Sequence, residues 1–307
     1  MVRTTTILIA SLLARTERAS ADLVIGGFDA SRGGCAAIVA GSCFDSLRGV
    51  VTNGFPGVTY QGAPALTPEF LAGVDVLVLA TATGATSATT PLSPAEVTAL
   101  RGFVANGGAA ILAVDNDTFA GPGTDGVNES FIDWLALDVG GTGAPWPQSA
   151  TTVNPSRSEI ANGPFGLVAA WTIGWTGWFE AVPAFAKVEA TVAQNGKPGI
   201  VSIPRHALAA CSGPVIVFAD STTFSDGFLT SGSSSATLLL NAIAWATESA
   251  CAAGLCGDID GDGSVNASDL AILLGAWGGP SPASDLDASG TVDASDLAIL
   301  LGAWGGC

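Results

Sequence analysis

Histidine occurs once in this chain of 307 residues, at position 206, and basic residues of any kind are scarce. Lysines and arginines number 10 against 27 aspartates and glutamates, for a net charge of -17. Such a surface repels nucleic acid and anionic membrane and favours cations, so nucleic-acid binding is excluded as a role. A Ser-His-Asp triad would have to use His206, in Ile203-Pro204-Arg205-His206, and no G-x-S-x-G elbow exists to supply its nucleophile. His206 is therefore expected to be structural. No CxxC pair is present, which argues against zinc. No later run is long and apolar enough to span a bilayer. Gly26-Gly27 and Gly107-Gly108 do not match a phosphate-binding fingerprint.

What is present begins with a core: 48% of the residues are hydrophobic, and the length suggests about two domains. The first 21 residues have export features: Arg3, an apolar stretch over 7–14, and Ala19-Ser20-Ala21 as a cleavage site. A signal peptide at 1–21 and a secreted or cell-surface protein are expected. Six cysteines, at 35, 43, 211, 251, 256 and 307, suggest disulfides in an exported chain. Connectivity cannot be deduced from spacing. Placement suggests Cys35 with Cys43, Cys256 with Cys307 as a clasp on the tail, and Cys211 left with Cys251.

The tail, 257–307, contains one unit written twice, and ASDLAILLGAWGG recurs without a change. Each unit opens with polar oxygens at alternate positions, then glycine, then an apolar helix. An EF-hand loop takes side-chain ligands at positions 1, 3 and 5, a carbonyl at 7, a ligand at 9, often through water, and a bidentate carboxylate at 12, with glycine at 6. The first unit supplies Asp258, Asp260, Asp262, the Ser264 carbonyl, Asn266 and Asp269, with Gly263 at the turn. The second supplies Asp285, Asp287, Ser289, the Thr291 carbonyl, Asp293 and Asp296, with Gly290. Calcium at both loops is expected. Without a cation the aspartates repel one another, so the tail should fold on binding. Ser289 is a weaker ligand than Asp262, so the second site is expected to be the weaker. Leu270, Leu273, Leu274 and Trp277, and their counterparts Leu297, Leu300, Leu301 and Trp304, follow the i, i+3, i+4, i+7 pattern, and the two stripes are expected to pack together.

Ahead of the tail, short apolar strands alternate with helices. Strands are expected at 23–27, 58–60, 75–79, 110–114, 188–192, 199–203 and 214–219. Helices are expected at 44–51, 93–105, 129–137 and 233–248. Over 93–105, Ser93 is the N-cap, Pro94 takes the first helical position, Glu96 closes a capping box, and Asn106-Gly107-Gly108 ends the helix. The stretch 140–163 reads as loop. Strand, helix, strand with short links predicts a parallel sheet. Asp115, Asp117 and Asp220 fall at the C-terminal ends of expected strands, the edge where open α/β sheets bind ligands. Their bland reading is capping of the following turn. Trp171, Trp175 and Trp178 could stack on sugar, or pack in the core.

Two resemblances follow from these residues. The segment from Leu92-Ser93-Pro94-Ala95-Glu96 to Gly107-Gly108, with Val215-Ile216-Val217-Phe218-Ala219-Asp220-Ser221 and a closing helix carrying Asn241 and Trp245, resembles the class I glutamine-amidotransferase-like fold. That implies a flavodoxin-like α/β domain. True amidotransferases carry a cysteine on a strand-to-helix elbow; the matching position after Val114 holds Asp115-Asn116-Asp117, so no catalytic residue is expected. The tail resembles type I dockerin domains, which implies a calcium-dependent plug into a cohesin. Its partner-reading positions, Ala267-Ser268, Ala294-Ser295, Leu274-Gly275 and Leu301-Gly302, depart from the cellulosomal pattern. The partner is therefore expected to be a cohesin-like or other cell-surface protein, with polysaccharide as a further candidate.

The expected organisation is a signal peptide at 1–21, an α/β domain at 22–250, a linker at 251–256 and a small all-α domain of paired calcium loop–helix units at 257–307. The expected function is non-covalent attachment outside the cell. The alternative is a polysaccharide-acting hydrolase anchored by the tail.

Overall fold

The computed structural model describes residues 23–84, 87–117, 126–141, 148–174, 177–209, 212–247, 257–260, 265–281, 283–286, 289–302 and 304. The expected signal peptide and linker, Trp175, Asp262, Ser264, Asp287 and the cysteines at 211, 251, 256 and 307 lie outside the described residues.

Nine strands form one sheet. In chain order they are β1 (Val24–Phe28), β2 (Thr59–Ala63), β3 (Val76–Ala80), β4 (Ala109–Ala113), β5 (Gln148–Thr152), β6 (Ala170–Ile173), β7 (Lys187–Val192), β8 (Pro198–Ile203) and β9 (Val215–Phe218). Their spatial order is β6-β5-β7-β8-β9-β4-β3-β1-β2. The strands from β9 to β2 pair in parallel. The strands from β9 to β6 pair antiparallel.

The expectation of a parallel sheet is therefore corrected: it holds for five strands, and the other half is antiparallel. Chain length explains this. Residues 193–197 join β7 to β8, whereas a parallel crossover needs about a dozen residues or more. The expectation of loop over 140–163 is also corrected, because β5 lies inside it. Its sequence, QSATT, has no apolar run; the strand exists because β7 and β6 pair with its two edges.

The central strands are apolar at every position because both faces are covered. Val76, Val78, Ile111, Ile216 and Phe218 point to one face, where α1 (Asp45–Gly54) and α4 (Ser234–Thr247) contribute Leu47, Val51, Leu239 and Ile243. Leu77, Leu79, Leu112, Val215 and Val217 point to the other, where α2 (Pro94–Ala105) and α3 (Val127–Ile132) contribute Leu100, Val104 and Phe131. Each of these larger aliphatic side chains, fully buried, contributes about 1.5–3 kcal/mol. Cys35 and Cys43 form the expected disulfide. Among the described residues no helix is long and apolar enough to cross a membrane.

In the tail, α5 (Ala267–Gly275) and α6 (Ala294–Gly302) share a small core of Val265, Leu273, Leu286, Val292 and Leu300, with Leu270 and Leu297 packed against it. The expected stripe is half right. Leu274 and Trp277 are 50% and 46% exposed, and Leu301 and Trp304 are 51% and 47% exposed. The loop residues Val265, Leu286 and Val292 fill the space that those side chains were expected to take. Gly278 N donates to Val292 O at 2.8 Å and Val292 N to Gly279 O at 3.0 Å, tying the end of the first unit to the second loop.

Candidate metal centre

Each tail helix begins on a residue that serves its loop as well. Asn266 caps α5, its Oδ1 accepting from Ser268 N at 2.8 Å. Three positions on, Asp269 is fully buried. Its Oδ2 accepts from Asn266 N at 2.9 Å, and its Oδ1 from Ile259 N at 2.6 Å and Asp260 N at 3.1 Å. One carboxylate thus closes a capping box and gathers the start of the loop around itself. Burial alone would raise its pKa, but the backbone N–H donors of Asn266, Asp260 and Ile259 outweigh that and hold it below the usual aspartate range.

The second unit repeats the scaffold 27 positions later, as the two loops are numbered. Asp293 Oδ1 accepts from Ser295 N at 2.8 Å. Asp296, fully buried, accepts from Leu286 N at 2.5 Å and Asp293 N at 2.7 Å. Asp285 takes the loop amides of Ser289 at 3.0 Å and Gly290 at 2.7 Å. Gly290 has φ +93°, a left-handed turn that suits glycine at that position. Ser289 Oγ donates to Thr291 O at 3.1 Å.

In the first loop the carboxylate oxygens of Asp258, Asp260 and Asp269 lie within 4.8 Å of one another. Three anionic oxygens so close repel strongly unless a cation shares them, and hard oxygen donors suit calcium. The residues present therefore fit the ion. In the second loop Asp285, Ser289, Thr291, Asp293 and Asp296 are described, and Asp287 is not.

The carboxylates expected at the sheet edge behave differently. Asp115 follows β4 and Asp220 follows β9, and they are 1% and 3% exposed. Asp115 accepts from Asn116 N at 2.8 Å, Asn116 Nδ2 at 2.7 Å, and the Ser221 hydroxyl. Asn128 brackets its backbone, accepting from Asp115 N at 3.1 Å and donating to Asp115 O at 2.7 Å. Asp220 accepts from Thr222 N at 2.9 Å and Thr222 Oγ1 at 2.6 Å, capping the turn Ser221–Phe224, and from Gly174 N at 3.0 Å. Burial, then repulsion from Asp220, pushes the Asp115 pKa up to about 8; burial raises that of Asp220 too. Asp117 is exposed. The three carboxylates therefore do not line one open pocket.

Trp171 is a core residue on β6, and Trp178 donates to Glu180 Oε1 at 2.6 Å on a separate ribbon. His206 sits in a turn with φ +64°, its N–H donating to Ser212 O at 2.9 Å. Two partners of Asp115 were not expected from the sequence: Ser221, which lies beside Asp220 after a buried strand, and Asn128, for which no local signal exists.

Among the described residues of the tail, the Asp258, Asp260 and Asp269 cluster is the group that fits a cation. Residues 256–303 match the family model of the dockerin type I domain, which supports a calcium-dependent module of protein–protein attachment in that segment. Dockerin domains bind cohesins. No curated protein matches the chain. Among solved structures, the mmIFT52 N-terminal domain is similar in fold, at TM-score 0.52 and 14% identity over 74% of this chain and 97% of that one. A protein described as ThuA-like from Bacteroides uniformis has TM-score 0.46 and 15% identity over 74% and 91%. Cytoplasmic Protein STM1381 from Salmonella typhimurium has TM-score 0.46 and 15% identity over 73% and 99%.

Proposed function

We propose that the chain is an exported attachment protein. Residues 1–21 act as a signal peptide, 22–250 form the α/β domain, 251–256 the linker and 257–307 the docking domain. One calcium ion is held per loop. The first loop uses Asp258, Asp260, Asp262, the Ser264 carbonyl, Asn266 and Asp269. The second uses Asp285, Asp287, Ser289, the Thr291 carbonyl, Asp293 and Asp296, and is the weaker. The observation that carries this reading is the same carboxylate scaffold built twice, on Asp269 and on Asp296. The partner is a cohesin-like or other cell-surface protein, met by the exposed Leu274, Trp277, Leu301 and Trp304.

The α/β domain is, in this proposal, amidotransferase-like and non-catalytic. Two observations support it. The order β2-β1-β3-β4-β9 is the doubly wound order of flavodoxin-like sheets. The elbow position holds Asp115, which is buried and engaged by Ser221 and Asn116. A polysaccharide hydrolase would need its carboxylates facing substrate, and the burial of Asp115 and Asp220 speaks against that reading.

The test is retention of the full chain on an array of immobilised type I cohesins. Binding with calcium and release by chelator are expected, with loss in the double variant Asp269→Ala, Asp296→Ala. Binding that ignores both chelator and variant would sink the proposal.

A further inference from the structure

The strand β2 closes one end of the nine-stranded sheet and pairs only with β1. Thr59 N donates to Leu23 O at 2.9 Å and Asp29 N to Ala63 O at 3.0 Å, so Thr59, Gln61 and Ala63 turn their backbone groups to β1. Tyr60 and Gly62 alternate with them and turn theirs outward, where no described residue pairs with them. Free edges of this kind are usually blunted by lysine, proline, a bulge or a covering segment. Of the first three β2 has none: its sequence is TYQGA and its register with β1 runs unbroken. Thr59, Gln61 and Gly62 are exposed.

Charge sets this edge apart as well. The chain carries 27 acidic residues and a net charge of -17, so two copies repel over most of their surface. Residues 49–68, which include β2, contain no charged side chain. Asp29, beside Gly62, directs its carboxylate to Ser31 N at 2.9 Å and Ser31 Oγ at 2.6 Å. At the opposite edge, the segments 142–147 and 175–176 that flank β5 and β6 in the chain lie outside the described residues.

We infer that β2 is a self-association edge: two copies of the chain pair antiparallel through it about a two-fold axis, forming one continuous sheet. Backbone chemistry selects the register. With Tyr60 on the axis, Gly62 would face Val58, whose N–H already donates to Phe55 O at 3.1 Å. With Gly62 on the axis, Tyr60 would face Pro64, which has no N–H. With Gln61 on the axis, Tyr60 of each copy exchanges both hydrogen bonds with Gly62 of the other, and every outward group is paired. The two Gln61 residues then face each other as a non-hydrogen-bonded pair, about 4.5 Å apart at Cα. On the opposite face of the seam, Tyr60 of one copy covers Val39 of the other, which is 48% exposed and lies 3.1 Å from where a Cβ on Gly62 would be. Glycine opposite the ring leaves it room. The seam is short, which places the dimer among weak, reversible associations. The inference is independent of the calcium reading of the tail; where that reading holds, a dimer brings two tails to one surface and gains avidity.

Sedimentation of the calcium-loaded full chain from about 5 to about 500 μM, a range that brackets weak association, tests it. The mass should rise with concentration and stop at a dimer. Gln61→Glu and Gln61→Lys each set like charges opposite one another on the axis, and each should raise the dissociation constant roughly fivefold or more, the scale of one cross-strand pair. An equimolar mixture of the two variants should associate at least as well as the parent, because only there do opposite charges meet across the seam. A folding defect in either variant could not produce that recovery. A monomer at the highest concentration, growth beyond two copies, association undiminished in both variants, or no recovery in the mixture would overturn the proposal.

Discussion

Asp115 is held in the wrong charge state for an isolated aspartate. Its pKa rises from 3.8 to about 8 because burial and Asp220 both disfavour the anion. The unfolded chain releases that proton near pH 4, whereas the folded chain keeps it. The stability contribution is therefore fully present below about pH 4 and is lost as pH rises through about 8. Within that window each pH unit costs up to about 1.4 kcal/mol. Asp115→Asn places a permanent neutral group there whose amide can donate to Ser221. Urea unfolding from pH 5 to 9 at fixed calcium should show a decline in the parent and a much flatter profile in the variant. Parallel profiles would mean that the proton sits elsewhere. Asp269 shows the opposite case: three backbone donors hold its pKa below the usual aspartate range, which suits the calcium ligand proposed for it.

At the scale of elements, α2 carries its boundaries in its own sequence. Ser93 accepts from Glu96 N at 3.3 Å, and Glu96 accepts from Ser93 N at 2.9 Å. Gly107, at φ +94°, ends the helix. Glu96 has a further partner that no local pattern could announce: Arg32, 64 positions away, whose guanidinium also lies 4.3 Å from the Phe28 ring centroid. Ser93→Ala should cost about 1 kcal/mol. That corresponds to a fall of about 2–4 °C in the melting temperature of a domain this size, read by calorimetry. An unchanged transition would show the box to be redundant with the Arg32 contact. Capped helices and buried apolar strands were legible because their signals are local. β5 and β6 were not, since QSATT and AWTI become strands only through neighbours that pair with them. The tail's helical period was legible too. Which half of each stripe would be covered depended on Val265, Leu286 and Val292 arriving from the loops.

For the molecule as a whole, the two hydrophobic layers of the α/β sheet include no tail residue among the described residues, and the described tail residues have a core of their own. That tail core is small, and its loops concentrate like charge. Chelation should therefore unfold α5 and α6 while the sheet stays intact. Far-ultraviolet circular dichroism should lose a minor helical component on adding chelator and regain it with calcium. The main thermal transition should persist throughout. A single transition moving as one with calcium would show instead that the two parts are coupled.

The mixed sheet has a consequence in time. β7 and β8 are chain neighbours and can zip as a hairpin, an event of about 1–10 μs. β4 and β9 pair Ala110 with Val215, and their meeting must await a long loop closure. Asp115 and Asp220 extend from those two strands, so their crowding begins only when this seam shuts. Refolding near neutral pH should then draw a proton from solvent at that late moment. Stopped-flow with a pH-indicator dye should show uptake lagging the earliest secondary-structure signal, and simultaneous onset would place the seam among the first contacts made.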